Sequence, residues 1–248
     1  MTEDVRLLVL GPGAAVVSAA LALYVRGCLS RRRLRRKRAF FGLPEHSDSL
    51  FVVNHEAGGP ELTVTRHDVL SLLELAALVK ECGAHTQIVA HDAAQQGFGE
   101  RTEFCLGNPA FHRRMAAHMH SLLPGVRVNA DPEPGPDRGA FQIGAERYRM
   151  EAGTAEYVLL ARLTAGQDAR PVFLFCGQRA ITNQAATRYL ARHHERLARK
   201  QGGSFVLLLK VVNSQAYGPD VVELVGDVTR AAQEPLPAPS ARNSHRAK

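Results

Sequence analysis

The chain has 248 residues, 45% of them apolar, 22% charged and 6% aromatic, with 4 Cys and no Trp. That length and apolar share suffice for one domain with a buried core, and the aromatics are too few for an aromatic ligand cage. Arg31, Arg32, Arg33, Arg35, Arg36, Lys37 and Arg38 alone match the net charge of +7, so the remainder is formally neutral. A nucleic-acid binder spreads its cations over the folded surface, so that class is not expected.

Leu7 to Val25 carries no formal charge and lies between Arg6 and Arg26. As a helix it would extend about 28 Å, close to the hydrocarbon thickness of a bilayer. The cations that follow predict an N-terminus outside and the rest of the chain in the cytoplasm. They also set Arg31 to Arg38 where anionic lipid headgroups lie. The expected organisation is a single-pass transmembrane anchor over 1–29 and a basic juxtamembrane stalk over 30–49, whose Phe40 and Phe41 dip into the interface. A cytoplasmic domain over 50–230 and a disordered tail over 231–248 follow.

Within the domain, Leu50 to Asn54 reads as a buried strand, followed by a Gly58-Gly59-Pro60 loop. Thr65 and Asp68 form a capping box for a helix whose stripe is Val69, Leu72, Leu73, Ala76 and Val79, with Gly83 as its stop. Thr86 to Ala90 is the next strand and completes a βαβ unit. Thr102 to Leu106 is a third strand, and Asn108 and Pro109 are the expected cap and first residue of a helix bearing Phe111, Met115, His118, Met119 and Leu122. A short strand at 126–128, an exposed loop at 131–139 and a hairpin at 141–150 separate this half from the next. That half has strands at 157–163 and 172–176, a helix capped by Thr182 or Asn183 and closed by Gly202-Gly203, and strands at 205–212 and 221–225.

This order of elements predicts an α/β fold: a Rossmann-like three-layer domain with a largely parallel sheet and an inserted β-hairpin, behind the single N-terminal transmembrane helix. One link leaves an alternative. The loop from His91 is short for a parallel crossover, and an antiparallel pair would part His91-Asp92 from Asn108. Cys28, Cys82, Cys105 and Cys176 form no C-x-x-C pair and no zinc spacing, so they read as reduced thiols, with no metal expected.

In parallel α/β sheets, ligands bind beyond the carboxyl ends of strands. Those ends carry Asn54, His55 and Glu56; His91 and Asp92; Gly107 and Asn108; and Gly177, Gln178 and Arg179. The His and acidic residues among them read first as solvated loop polarity. Two glycine turns lead into helices, where backbone N–H groups and the dipole suit an anion. The candidate ligand-binding residues are therefore Gly107, Asn108, Gly177, Gln178, Arg179, Thr182 and Asn183, with Arg179 near the surface as a phosphate contact. The plainer reading is that glycines and Asn caps simply build βα turns. No G-x-G-x-x-G, P-loop, G-x-S-x-G or H-E-x-x-H pattern occurs. The two glycine turns are loosely similar to those of Rossmann-like nucleotide-recognising families, the TIR-like and SLOG groups among them. The resemblance covers only the turns and implies a nucleotide-like ligand. The expected function is binding of a small anionic ligand or a protein partner. The alternatives are an enzyme acting on a nucleotide or phosphoester, and a structural interaction module.

Overall fold

The computed structural model describes residues 2–53, 64–92, 99–129, 135, 137–166, 168–200 and 203–236, with side chains from residue 18 onward, Lys200 excepted. A long helix, α1 (Thr2–Phe41), precedes a βαβ unit made of β1 (Asp48–Val53), α2 (Arg66–Glu81) and β2 (His85–Ala90). Then come β3 (Thr102–Gly107), α3 (Arg113–Leu122) and three short strands, β4 (Val126–Val128), β5 (Phe141–Ile143) and β6 (Glu146–Tyr148). The second half comprises β7 (Ala155–Leu163), β8 (Val172–Gly177), α4 (Ala180–Lys200), β9 (Phe205–Val212), α5 (Ser214–Tyr217), β10 (Val222–Asp227) and α6 (Thr229–Gln233).

The main sheet has seven strands in the order β10-β9-β7-β8-β3-β1-β2, and β4-β5-β6 form a separate antiparallel sheet. The pairs β2–β1, β1–β3 and β3–β8 are parallel, whereas β7 and β10 run against their neighbours. Five of seven strands thus point one way. β1 lies between β2 and β3 and is parallel to both, so His91 and Asn108 share one edge. The expected hairpin is two strands of the smaller sheet.

Alternation of side chains across the sheet divides the core in two. Phe51, Phe104, Phe173, Phe175, Phe205 and Leu207 face α2 and α4. Val52, Cys105, Leu174, Cys176, Val206 and Leu208 face α3, the small sheet and α6. Every residue of β3 and β8 is buried, as central parallel strands covered on both faces require. Thr65 caps α2, its side chain accepting a hydrogen bond from the Asp68 amide, and Gly83 (φ +73°) turns the chain just past Cys82.

The N-terminal segment differs from the sequence expectation. Among the described residues no helix is long and apolar enough to cross a membrane. The side chains of Leu7 to Val17 lie outside the described residues. Ser18 to Val25, about 12 Å of helix, is the uncharged part with described side chains. The helix does not end at a membrane edge. It continues through Arg26 and Arg31 to Arg38 as one element, so cations and apolar residues share the same rod. Phe40 and Phe41, expected at a lipid interface, are instead buried against Phe173, with ring centroids 6.1 and 5.4 Å from it. Arg38 Nε donates to Cys82 O (2.7 Å), and Lys37 pairs with Glu81. The single-pass anchor, the separate stalk and the outside-to-cytoplasm topology that rested on them are corrected accordingly. Within the expected tail, 231–233 belong to the helix 229–233 and Ala232 is buried, while 237–248 lie outside the described residues.

Two buried groups on the α3 side tie strand to helix. Glu103 accepts from Arg114 Nε (2.8 Å) and Nη2 (2.5 Å), and its Oε2 lies 3.1 Å from His118 Nε2. Burial pushes its carboxyl up, but the Arg114 and His118 bonds outweigh this and hold it at about 2. Glu103, Cys105 and His118 have ligand atoms within 4.8 Å of one another. Arg114 already fills the carboxylate, and burial raises the Cys105 thiol well above its usual range, so the cluster is built as an ion pair. His112 caps α3: its Nδ1 accepts from Met115 N (3.0 Å), and Nε2 lies 3.3 Å from Val52 O. That pattern needs the neutral ring, and burial lowers its pKa to about 4 despite the bond to Val52 O.

Both groups bind fewer protons folded than unfolded, so stability rises with pH and is lost as pH falls. The His112 contribution, present above an unfolded value near 6.5, is lost as pH falls through about 4. For a fully buried ring this amounts to about 3 kcal/mol. The Glu103 contribution is lost next, from 4.5 toward about 2. Urea midpoints across pH 7 to 4 are expected to fall in the wild type. They should flatten in His112→Asn, which keeps a cap but cannot take a proton.

Candidate functional site at the carboxyl edge of the sheet

The parallel strands β2, β1, β3 and β8 end side by side, and the two glycine turns meet there because Gly107 pairs with Cys176, the neighbour of Gly177. Gly107 (φ +140°) lets the chain leave β3 in a conformation that other residues rarely adopt. Asn54, His55 and Glu56 lie outside the described residues. His91 Nδ1 accepts from Arg113 N (3.3 Å), and its ring centroid is 5.6 Å from that of His112.

Asn108 does not cap α3. Its Oδ1 accepts from Ala110 N (2.9 Å), which closes a local turn, and the helix starts at Arg113 behind His112. An Asn side chain that bonds its own backbone two residues on makes such a turn in place of a cap. Thr182 and Asn183 likewise lie within the first turn of α4, which starts at Ala180. Thr182 Oγ1 donates to Arg179 O (2.7 Å). Asn183 Nδ2 donates to Asp68 Oδ1 (3.1 Å), and Thr65 Oγ1 donates to Asp68 Oδ2 (2.8 Å). Burial raises the Asp68 carboxyl, with the bonds from Asn183 and Thr65 acting against it.

The space over Gly177 is therefore occupied by its own helix. A Cβ at Gly177 would collide with Thr182 Oγ1 and Asn183 Oδ1. Gln178 is also committed: its Oε1 accepts from Tyr157 N (2.8 Å), while Nε2 donates to Gly139 O (3.0 Å) and Tyr148 O (3.1 Å). It joins the small sheet to β7 and is not free to hold a ligand.

Arg179 is half exposed, but its charge is engaged. Nη1 lies 2.6 Å from Oε1 of Glu156, whose side chain is 0% exposed. The same oxygen accepts from Gly153 N (2.8 Å). Glu156 Oε2, Asn183 Oδ1 and Ser214 Oγ are buried without a hydrogen-bond partner among the described residues. All three lie at the carboxyl edge: Glu156 starts β7 opposite the end of β8, Asn183 opens α4, and Ser214 follows β9. A buried polar atom left unpaired costs about 1–3 kcal/mol, so each of the three calls for a partner.

Of the candidates expected from the sequence, Gly177, Arg179 and Asn183 lie at this edge, whereas Glu156, Asp68 and Ser214 were not among them. Their signals were weak: Glu156 opens an apolar strand, and Asp68 was already explained as a capping residue. Cys82, Cys105 and Cys176 are buried thiols and Cys28 is exposed. Burial pushes Cys176 up to about 12 and Cys105 well above its usual range, which makes both poor nucleophiles. Comparison with protein-family models, curated proteins and solved structures finds no match to this chain.

Removing Arg179 leaves the Glu156 carboxylate buried without its counter-charge. Arg179→Ala is therefore expected to lower stability by about 1–3 kcal/mol, below the full cost of breaking a buried pair because the guanidinium is half in water. Denaturant unfolding should show Arg179→Ala/Glu156→Gln recovering most of that loss. Equal instability of the single and double variants would mean that the pair contributes nothing.

Proposed function

We propose that the chain is a ligand-binding α/β domain whose carboxyl-edge site takes a small anionic, nucleotide-like molecule. The observation that carries the reading is a pair of buried acceptors at this edge without a partner among the described residues, Glu156 Oε2 and Asn183 Oδ1, with the half-exposed guanidinium of Arg179 bonded to Glu156. Two acceptors in want of N–H or O–H donors suit a base or a ribose. Arg179 carries five N–H donors and is bonded through Nη1 to Glu156, which leaves N–H groups to turn toward a phosphate. Donors at one end and negative charge at the other are the chemistry of a nucleotide. The closed turn over Gly177 directs such a ligand to the Glu156 side of the edge rather than into the backbone of the α4 turn.

A thermal-shift panel of nucleoside mono-, di- and triphosphates tests this, with calorimetry on any that bind. A ligand at one hundred times its dissociation constant stabilises by about 2.7 kcal/mol, which is readily seen. Glu156→Gln keeps the side chain's shape but replaces an acceptor with a donor. It is expected to weaken binding at least about tenfold. No shift from any nucleotide, or equal binding by Glu156→Gln, rejects the reading.

A further inference from the structure

Among the described residues, Arg162 has no carboxylate partner. It lies at the opposite edge of the sheet, beside Phe173 and Phe205 at the amino ends of β8 and β9. Its Nε donates to Phe40 O (2.9 Å), its Nη1 donates to Gly203 O (2.8 Å), and its guanidinium sits 5.5 Å from the centre of the Phe40 ring. Burial lowers its pKa. Carbonyl oxygens take two of its N–H groups but leave the positive charge standing.

Arg162 lines a cleft of about 610 Å³ between α1 and α4, together with Arg33, Arg36, Lys37 and Arg199. Lys37 is paired with Glu81. Among the described residues, Arg33, Arg36, Arg162 and Arg199 have no carboxylate within salt-bridge distance. Glu195 is the acid on the cleft wall, and His194 adds a ring whose Nδ1 is bonded to Ala191 O (2.8 Å). Cations at the carboxyl end of α4 would complement its dipole. That accounts for Arg199, but not for guanidinium groups arriving from α1 and from β7 at the same cavity.

We infer that this cleft is a second anion site, which binds a multiply charged phosphate group through Arg33, Arg36, Arg162 and Arg199. Guanidinium forks match phosphate oxygens in pairs, and several converging on one concave wall focus the field there. Phe40, one ring beneath the guanidinium of Arg162, belongs to the apolar core, so the floor of the cleft is rigid. The same chemistry is offered by a free polyphosphate and by a phosphorylated lipid headgroup. The site is independent of the carboxyl edge and of any ligand bound there.

The test is calorimetry of the full chain with tripolyphosphate, and sedimentation with phosphatidylcholine vesicles with and without a phosphoinositide. Binding of tripolyphosphate alone assigns a soluble ligand, binding of phosphoinositide vesicles alone assigns a headgroup, and either supports the site. Arg36→Gln and Arg199→Gln, both at exposed positions, are each expected to cost at least about tenfold in affinity. Arg31→Gln and Arg35→Gln, on the same helix but outside the cleft, should change it by less than about threefold. Binding of neither probe overturns the inference. Equal losses in the Arg31 and Arg36 variants would also overturn it, because they would show general attraction to the charge of α1.

Discussion

The parallel pairing of β2, β1, β3 and β8 is the constraint from which most of this structure follows. Parallel neighbours need crossovers, and the crossovers put α2 and α4 on one face and α3 with the small sheet on the other. Strands covered on both faces must be apolar throughout, which is why T-E-F-C-L-G and V-F-L-F-C-G carry so little alternation. Glu103, the acid inside that run, is tolerated because Arg114 and His118 enclose it from one turn of α3. The same pairing brings four strand ends to one edge and makes that edge the place for polar groups.

The pattern breaks between β8 and β7. β7 runs against both of its neighbours, so its beginning, not its end, meets the carboxyl edge. Glu156 therefore reaches the neighbourhood of Arg179, and the site differs from one built of βα turns alone. The turn after β8 is closed over by Thr182 and Asn183, and Glu156 of β7 carries a buried oxygen without a partner among the described residues. At the amino edge the balance is reversed: α1, α4 and β7 converge with an excess of cations over a floor of Phe40. Among the described residues, one sheet thus presents buried acceptors without a partner at one end and cations without a carboxylate partner at the other.

Much of the strand and helix layout was legible in the sequence because it rests on local patterns. The buried runs at 50–53, 102–107 and 172–177 and the Thr65 cap are written in neighbouring residues. What escaped depends on distant ones. Gln178 looks like a ligand residue in the chain, yet its amide is taken up by backbone groups of residues 139, 148 and 157. Asn108 has every property of a cap, but a turn to Ala110 competes for its side chain and His112 takes the role. The N-terminal segment was misread for a related reason. A charge-free stretch followed by arginines resembles an anchor and its flank, but the helix carries through the arginines and ends in Phe40 and Phe41, which belong to the core.

The central claim is that the buried acceptors at the carboxyl edge are the unfilled half of a ligand site. A crystal structure of the chain grown with a bound nucleotide tests it most directly. The account predicts ligand N–H or O–H donors within about 3.2 Å of both Glu156 Oε2 and Asn183 Oδ1, with a phosphate against Arg179. A structure with both oxygens bonded to ordered water or to protein groups, and the nucleotide bound elsewhere, would contradict it.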